Sequence, residues 1–264
     1  MVVAISAGCT KPDPGPIVEP LESTLGAAVP AAYFAAVSMS VLGGGTSPCA
    51  HVATPVGSGS DVEVDVSLGP GCPPMFGAGE NGTVAVTGVW TPELATFVMD
   101  FTGVTDGGSP MVVEGIASMT VTPSSDNHLE IAYGEQDITV ATGSDAGGGL
   151  EQVAWVVDVD TAGTPDPSDD TIAISGGDQS LLAVGGEAPM GDVTQVALGD
   201  AVFDPGCRRN PNSGIAAVQR AGNLGAGWVL FHFHAACDGT ADVAAALAPY
   251  EPLITDSLPL AFLQ

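Results

Sequence analysis

Positive charge is almost missing from this chain. Lysine and arginine together number 4 against 31 aspartates and glutamates, for a formal net charge of −27. Nucleic acid is held by cations facing phosphates, so a nucleic-acid partner is excluded. A polybasic patch that would grip an anionic membrane is excluded on the same ground. The single lysine is Lys11, close to the N-terminus. A Walker A loop, a pyridoxal Schiff base, a Ser–Lys dyad and a protein kinase each need a lysine inside the folded domain, so none of them fits. Aromatic residues are only 5% of the chain, and no G-x-S-x-G nucleophile elbow occurs. The longest charge-free stretch, 23–60, is broken by Pro30, by Gly43-Gly44-Gly45 and by Pro48. Its apolar part, Ala27 to Leu42, is short and rich in Ala and Ser for a span of about 20 residues.

What is abundant is turn-forming and β-forming. Glycine numbers 36 and proline 21, which sets many turns and few long helices. Asp61-Val-Glu-Val-Asp-Val66 alternates perfectly, so Val62, Val64 and Val66 are expected to face inward. Asn81-Gly82 ahead of Thr83–Thr87 reads as a hairpin turn. Further strands are expected at Leu94–Phe101, Met111–Thr122, Leu129–Tyr133, Asp137–Ala141, Val153–Val159, Thr171–Ser175, Val193–Val202, Ile215–Gln219, Trp228–Ala235 and Thr240–Leu247. The expected fold is all-β, with antiparallel sheets in a sandwich or barrel-like arrangement, one short N-terminal helix and two disulfides. The helix is placed at Ala31–Leu42, where Tyr33, Phe34, Val37 and Val41 share a face and Gly43 ends the run. Val37–Val41 also alternates as a strand would.

Ser6-Ala7-Gly8-Cys9 followed by Pro12, Pro14, Pro16 and Pro20 resembles the lipobox and tether of bacterial lipoproteins. The resemblance implies a signal remnant at 1–8 and a lipid on Cys9, while the prolines set an extended tether over 9–29 and the strand pattern a single β-rich domain over 30–264. It also implies export to the outer membrane or cell surface, periplasmic or extracellular, with the membrane met only through the lipid. Ser6 stands where that family usually has Leu, and the leader lacks a basic start, as a start codon assigned too late would leave it. Lipidation of Cys9 also accounts for the odd count of five cysteines.

The other four, Cys49, Cys72, Cys207 and Cys237, bracket two similar units over 49–90 and 207–247, each with a strand pair between its cysteines. Four cysteines allow three connectivities, and the bracketing favours Cys49–Cys72 and Cys207–Cys237. Each closure is worth about 3–4 kcal/mol in the chain-entropy account. With the N-terminus, these units resemble secreted bacterial lipoproteins that carry Cys-bracketed β-hairpins, a resemblance that implies no activity.

Two patterns carry candidate metal chemistry. Asp158-Val-Asp160-Thr-Ala-Gly163-Thr-Pro-Asp166-Pro-Ser-Asp169-Asp170 resembles a calcium loop of the EF-hand type. The resemblance implies Asp158, Asp160, Asp166 and Asp169 as ligands, with Thr164 lending its carbonyl. Ala162 at the fifth place, Asp at the twelfth and strand-like flanks depart from that pattern, and a plain solvated turn is the alternative. On a strand, Phe231-His232-Phe233-His234 puts both histidines on one face. His232 and His234 then offer two zinc or copper ligands, with others to come from His51, His128 or acids. The alternative is a sheet with a buried aromatic face and an exposed imidazole face. Arg208-Arg209 either grips an anion or neutralises acids such as Asp204. Trp90, Trp155 and Trp228 read as core residues or as a sugar-stacking surface.

The sequence therefore favours a non-enzymatic, lipid-anchored surface module with a protein or glycan partner. A calcium-dependent adhesion or carbohydrate-binding module is the first alternative, with calcium as its cofactor. A secreted hydrolase or metalloenzyme using His232 and His234 is the second.

Overall fold

The computed structural model describes residues 15–47, 50–53, 62–68, 80–106, 111–125, 127–142, 149–151, 155–164, 169–176, 181–184, 192–207, 211–220, 228–236, 238–247 and 251–259. One helix, α1 (Gly15–Leu42), is followed by fifteen strands in one sheet. The first eight are β1 (Ala50–Ala53), β2 (Val62–Leu68), β3 (Glu80–Trp90), β4 (Ala95–Asp106), β5 (Met111–Ser125), β6 (His128–Thr142), β7 (Gly149–Glu151) and β8 (Trp155–Asp160). The rest are β9 (Thr171–Gly176), β10 (Leu181–Val184), β11 (Asp192–Phe203), β12 (Ser213–Arg220), β13 (Trp228–His232), β14 (Thr240–Leu247) and β15 (Glu251–Pro259). Every pairing is antiparallel. Neighbours follow chain order from β1 to β7 and from β10 to β15, while the β8–β9 hairpin bridges β6 and β11.

The helix decides the architecture. It packs against β1 and against each strand from β3 to β12. Laid across the strands, a 28-residue helix about 42 Å long could touch about nine strands of a flat sheet spaced about 4.8 Å apart, but only along one of its sides. The sheet curls around α1, as contact with so many strands and burial of that helix on every side require. Every residue from 28 to 39 is buried, with no polar stripe left for solvent. Ser38, at 0% exposure, satisfies its hydroxyl by donating to the Phe34 carbonyl at 2.7 Å. Tyr133 on β6 donates its hydroxyl to the Ala28 carbonyl at 2.7 Å, tying sheet to helix. Burial pushes that phenol well above its ordinary range.

The helix also corrects the expected tether, because residues 15–29 are helical rather than extended. Pro16 sits in the first turn, where its missing N–H costs nothing. Pro30 lies mid-helix and leaves the Gly26 carbonyl without its usual donor, a cost of about 3 kcal/mol. Burial on all sides offsets that cost, so packing overrides the local preference. The C-terminal end is as read: Gly45 N–H reaches Ser40 O at 2.8 Å and Gly44 N–H reaches Val41 O at 3.1 Å. Gly44, at φ +95, supplies the left-handed residue that this closure requires.

Along β4, Ala95, Phe97, Met99 and Phe101 face the helix, and Thr96, Val98, Asp100 and Thr102 face out. Bulges interrupt this alternation. In β6 the buried positions are Leu129, Ile131 and Tyr133, then Ile138, and the change of parity falls at a bulge against β5. The two strands expected at 129–133 and 137–141 are thus one. Asn81-Gly82 is likewise no hairpin turn but a bulge inside β3. Gly82 holds φ +94, and a Cβ there would stand 2.4 Å from the Gly103 carbonyl oxygen, so only glycine fits. Val66 is fully buried, as its alternation predicts, while the side chains of Val62 and Val64 lie outside the described set.

Candidate functional site

The acidic loop joins β8 to β9. Two strands flank it, so Asp158 and Asp160 recur at a period of two and both point to the outer face of the sheet. His128, at the start of β6, is paired in register with Asp160. Its Nδ1 donates to Asp158 Oδ1 at 3.0 Å, and its Nε2 stands 3.8 Å from Asp160 Oδ2. Glu130 lies directly across from Asp158, so the imidazole relieves a like-charge pair. The hydrogen bond to Asp158, with the charges of Asp158 and Asp160, holds the His128 pKa above its ordinary value.

The other candidate calcium ligands are also engaged with protein groups. Asp160 Oδ1 accepts the Ala162 N–H at 3.0 Å. Thr164 contributes its hydroxyl rather than its carbonyl, donating toward Asp169 Oδ1 and Oδ2, both at 2.9 Å. Thr161 anchors the loop from below, with N–H and hydroxyl both donated to the Asn127 carbonyl at 2.8 and 3.1 Å. Asp166 lies outside the described residues. Among the described residues, no group of three or more His, Cys, Asp or Glu is arranged to hold a metal ion. Asp158, Asp160 and Asp169 thus take part in a hydrogen-bonded loop between two strands.

The histidine pair alternates with its phenylalanines as read. Phe231 and Phe233 are buried, and His232 is exposed between Ile215 on β12 and Asp242 on β14. β13 ends at His232, so His234 belongs to the following turn. There Thr240 donates its hydroxyl to Asp238 Oδ1 at 2.7 Å, and its oxygen meets His234 Nε2 at 3.3 Å. The hydroxyl hydrogen bond keeps Asp238 below the ordinary carboxylate range. The Thr240 hydroxyl thus gives its proton to a carboxylate, and its oxygen faces the imidazole. His128, expected as a further ligand for this pair, is on β6, which is not adjacent to β13.

Cys207 is buried and disulfide-bonded, at the end of a tight turn in which its N–H reaches Asp204 O at 2.8 Å. Cys9, Cys49, Cys72 and Cys237 lie outside the described residues, as do Arg208 and Arg209. Trp90 packs against the core, and the side chains of Trp155 and Trp228 are outside the described set.

One surface feature was not readable from the sequence. The outer face from β3 to β8 carries a belt without charge among its described side chains. One row runs Val89, Thr96, Thr120, Ala132, Val156, and a second runs Thr87, Val98, Ser118. Val89, Val98, Ile116 and Val156 are 41%, 44%, 48% and 46% exposed. Ile116 stands at the edge of the belt, paired with Asp100, and Glu114 lies next beyond it, while Glu130 and Asp158 lie on the other side. Only the register brings the belt residues together, because each strand contributes three of them at most.

No family model, no curated protein and no solved structure matches this chain.

Proposed function

We propose that the chain is a non-enzymatic binding module, held outside the cytoplasm by a lipid on Cys9, whose working surface is the outer face of the curled sheet. The observation that supports this reading is the occupied interior. α1 fills the space a barrel-like sheet would otherwise offer to a ligand, and its described residues from 28 to 39 are all buried. Recognition is then left to the outside, where the uncharged belt departs most from the acidic remainder. No helix among the described residues is long and apolar enough to cross a membrane, so attachment through a lipid is the route that the Cys9 motif offers.

A photo-crosslinking residue placed at position 98, in the belt, or at position 213, exposed on β12, tests the surface. Expressed with a complete leader in intact cells, the position-98 protein should give a discrete adduct that the position-213 protein lacks. Equal patterns from the two, or no adduct at all, would refute the reading. Fractionation tests the anchor: Cys9→Ser should leave the membrane fraction, and retention there would show the lipid to be elsewhere or absent.

A further inference from the structure

We infer that the belt docks a basic polypeptide segment, with apolar side chains seated on Val89, Val98, Ile116 and Val156 and lysines or arginines reaching the carboxylates on either side. The inference rests on the outer face being the working surface and names its partner. Val98 is opposite Thr87 on β3 and Ser118 on β5, while Val89 is opposite Thr96 and Ile116 is opposite Asp100. Residues displaced by two across a strand pair lie about 7–8 Å apart, so Val89, Val98 and Ile116 form one apolar diagonal. Val156 is joined to it through Ala132, Thr120 and Thr96 in a single row. These four are among six large hydrophobic residues that stand exposed in the described structure.

Charge selects the occupant. The flanking groups Asp100, Glu114, Glu130 and Asp158 are all acidic, and the whole chain carries −27. A second copy would set carboxylates against carboxylates, and nucleic acid or an anionic membrane would be repelled. A small cation would satisfy the flanks and leave the apolar diagonal wet. A segment apolar along its centre and basic at its margins complements both parts.

The probe is a synthetic peptide alternating valine and lysine, compared with its counterpart carrying glutamine for lysine, each titrated against the intact protein by fluorescence anisotropy. The lysine peptide should bind saturably and the glutamine peptide at least tenfold more weakly. Val98→Asp and Ile116→Asp should each weaken the lysine peptide at least tenfold, although they add negative charge. Ser213→Asp adds the same charge on exposed β12 and should leave binding unchanged or slightly stronger. Unfolding midpoints of all three variants establish that they fold. If Val98→Asp and Ile116→Asp bind as Ser213→Asp does, attraction is general to the acidic surface and the site is wrong. Equal binding of the two peptides, or self-association of the wild type that Val98→Asp abolishes, also overturns it. A position-98 adduct to a partner without a basic segment would sink this inference while sparing the surface reading, whereas loss of the adduct sinks both.

Discussion

The two faces of β4 differ in almost every physical respect although their residues alternate one by one. The inner face is Ala95, Phe97, Met99 and Phe101, each 0–2% exposed against the helix or its neighbours. The outer face is Thr96, Val98, Asp100 and Thr102, all exposed. Stability is concentrated on the first face and freedom to vary on the second. The same division holds on β3, where Val84 and Val86 are buried and Ala85 and Thr87 are exposed.

Adjacent residues give the sharpest way to break that comparison. Met99→Asp buries an unpaired carboxylate and should destabilise by several kcal/mol or prevent folding, whereas Val98→Asp should stay within about 0.5 kcal/mol. Urea denaturation followed by far-ultraviolet circular dichroism measures both, and similar losses would mean the two faces are wrongly assigned. Phe97→Ala should cost about 3–5 kcal/mol by the cavity it leaves against the core, in contrast to Thr96→Ala on the outer face. Removing the Cys207 disulfide by Cys207→Ser should cost about 2–4 kcal/mol, and non-reducing peptide mapping should join Cys207 to Cys237. A peptide linking Cys207 to Cys49 or Cys72 would discard the two-unit pairing.

Smaller effects come from single hydrogen bonds. Tyr133→Phe removes the tie to Ala28 and should cost about 1 kcal/mol, read from the unfolding midpoint. His128 should give the smallest change, because its imidazole is open to solvent, which screens the Asp158 contact. Its folded pKa is raised, so its contribution is complete below the unfolded value near 6.5 and disappears as pH rises through the higher folded value. Proton NMR should show a His128 midpoint above that of an unstructured histidine, and Asp158→Asn should bring it down. An unshifted wild-type midpoint would mean the Asp158 contact is not made in solution.

Much of the fold was legible in the chain. Strands with strict alternation, such as Asp61–Val66 and Leu94–Phe101, appear where the period of two places them. The errors share a cause. Prolines at 12, 14, 16 and 20 argue for an extended tether, and only the surrounding sheet, unseen locally, makes most of that stretch helical. Asn81-Gly82 has hairpin chemistry, but the glycine serves a bulge set by the facing Gly103 backbone. The short β1, β7, β10 and the late β15 lack a long alternating run and went unread. At the candidate sites, the sequence names Asp158, Asp160 and His128 separately, and only the β6–β8 register unites them. The belt is less legible still, since Val89, Val98, Ile116 and Val156 are spread over four strands.

The position of α1 ahead of every strand fixes an order of events during synthesis. Its residues leave the ribosome before those of the sheet, yet its partners extend to β12, which ends at Arg220. From Leu42 to Arg220 is 178 residues, 220 minus 42, which takes on the order of 10–40 s at about 5–20 residues per second. Throughout that interval an almost wholly apolar helix has no complete sheet around it. The nascent chain therefore cannot reach its final form until most of it exists, so its folding waits on contacts distant in sequence.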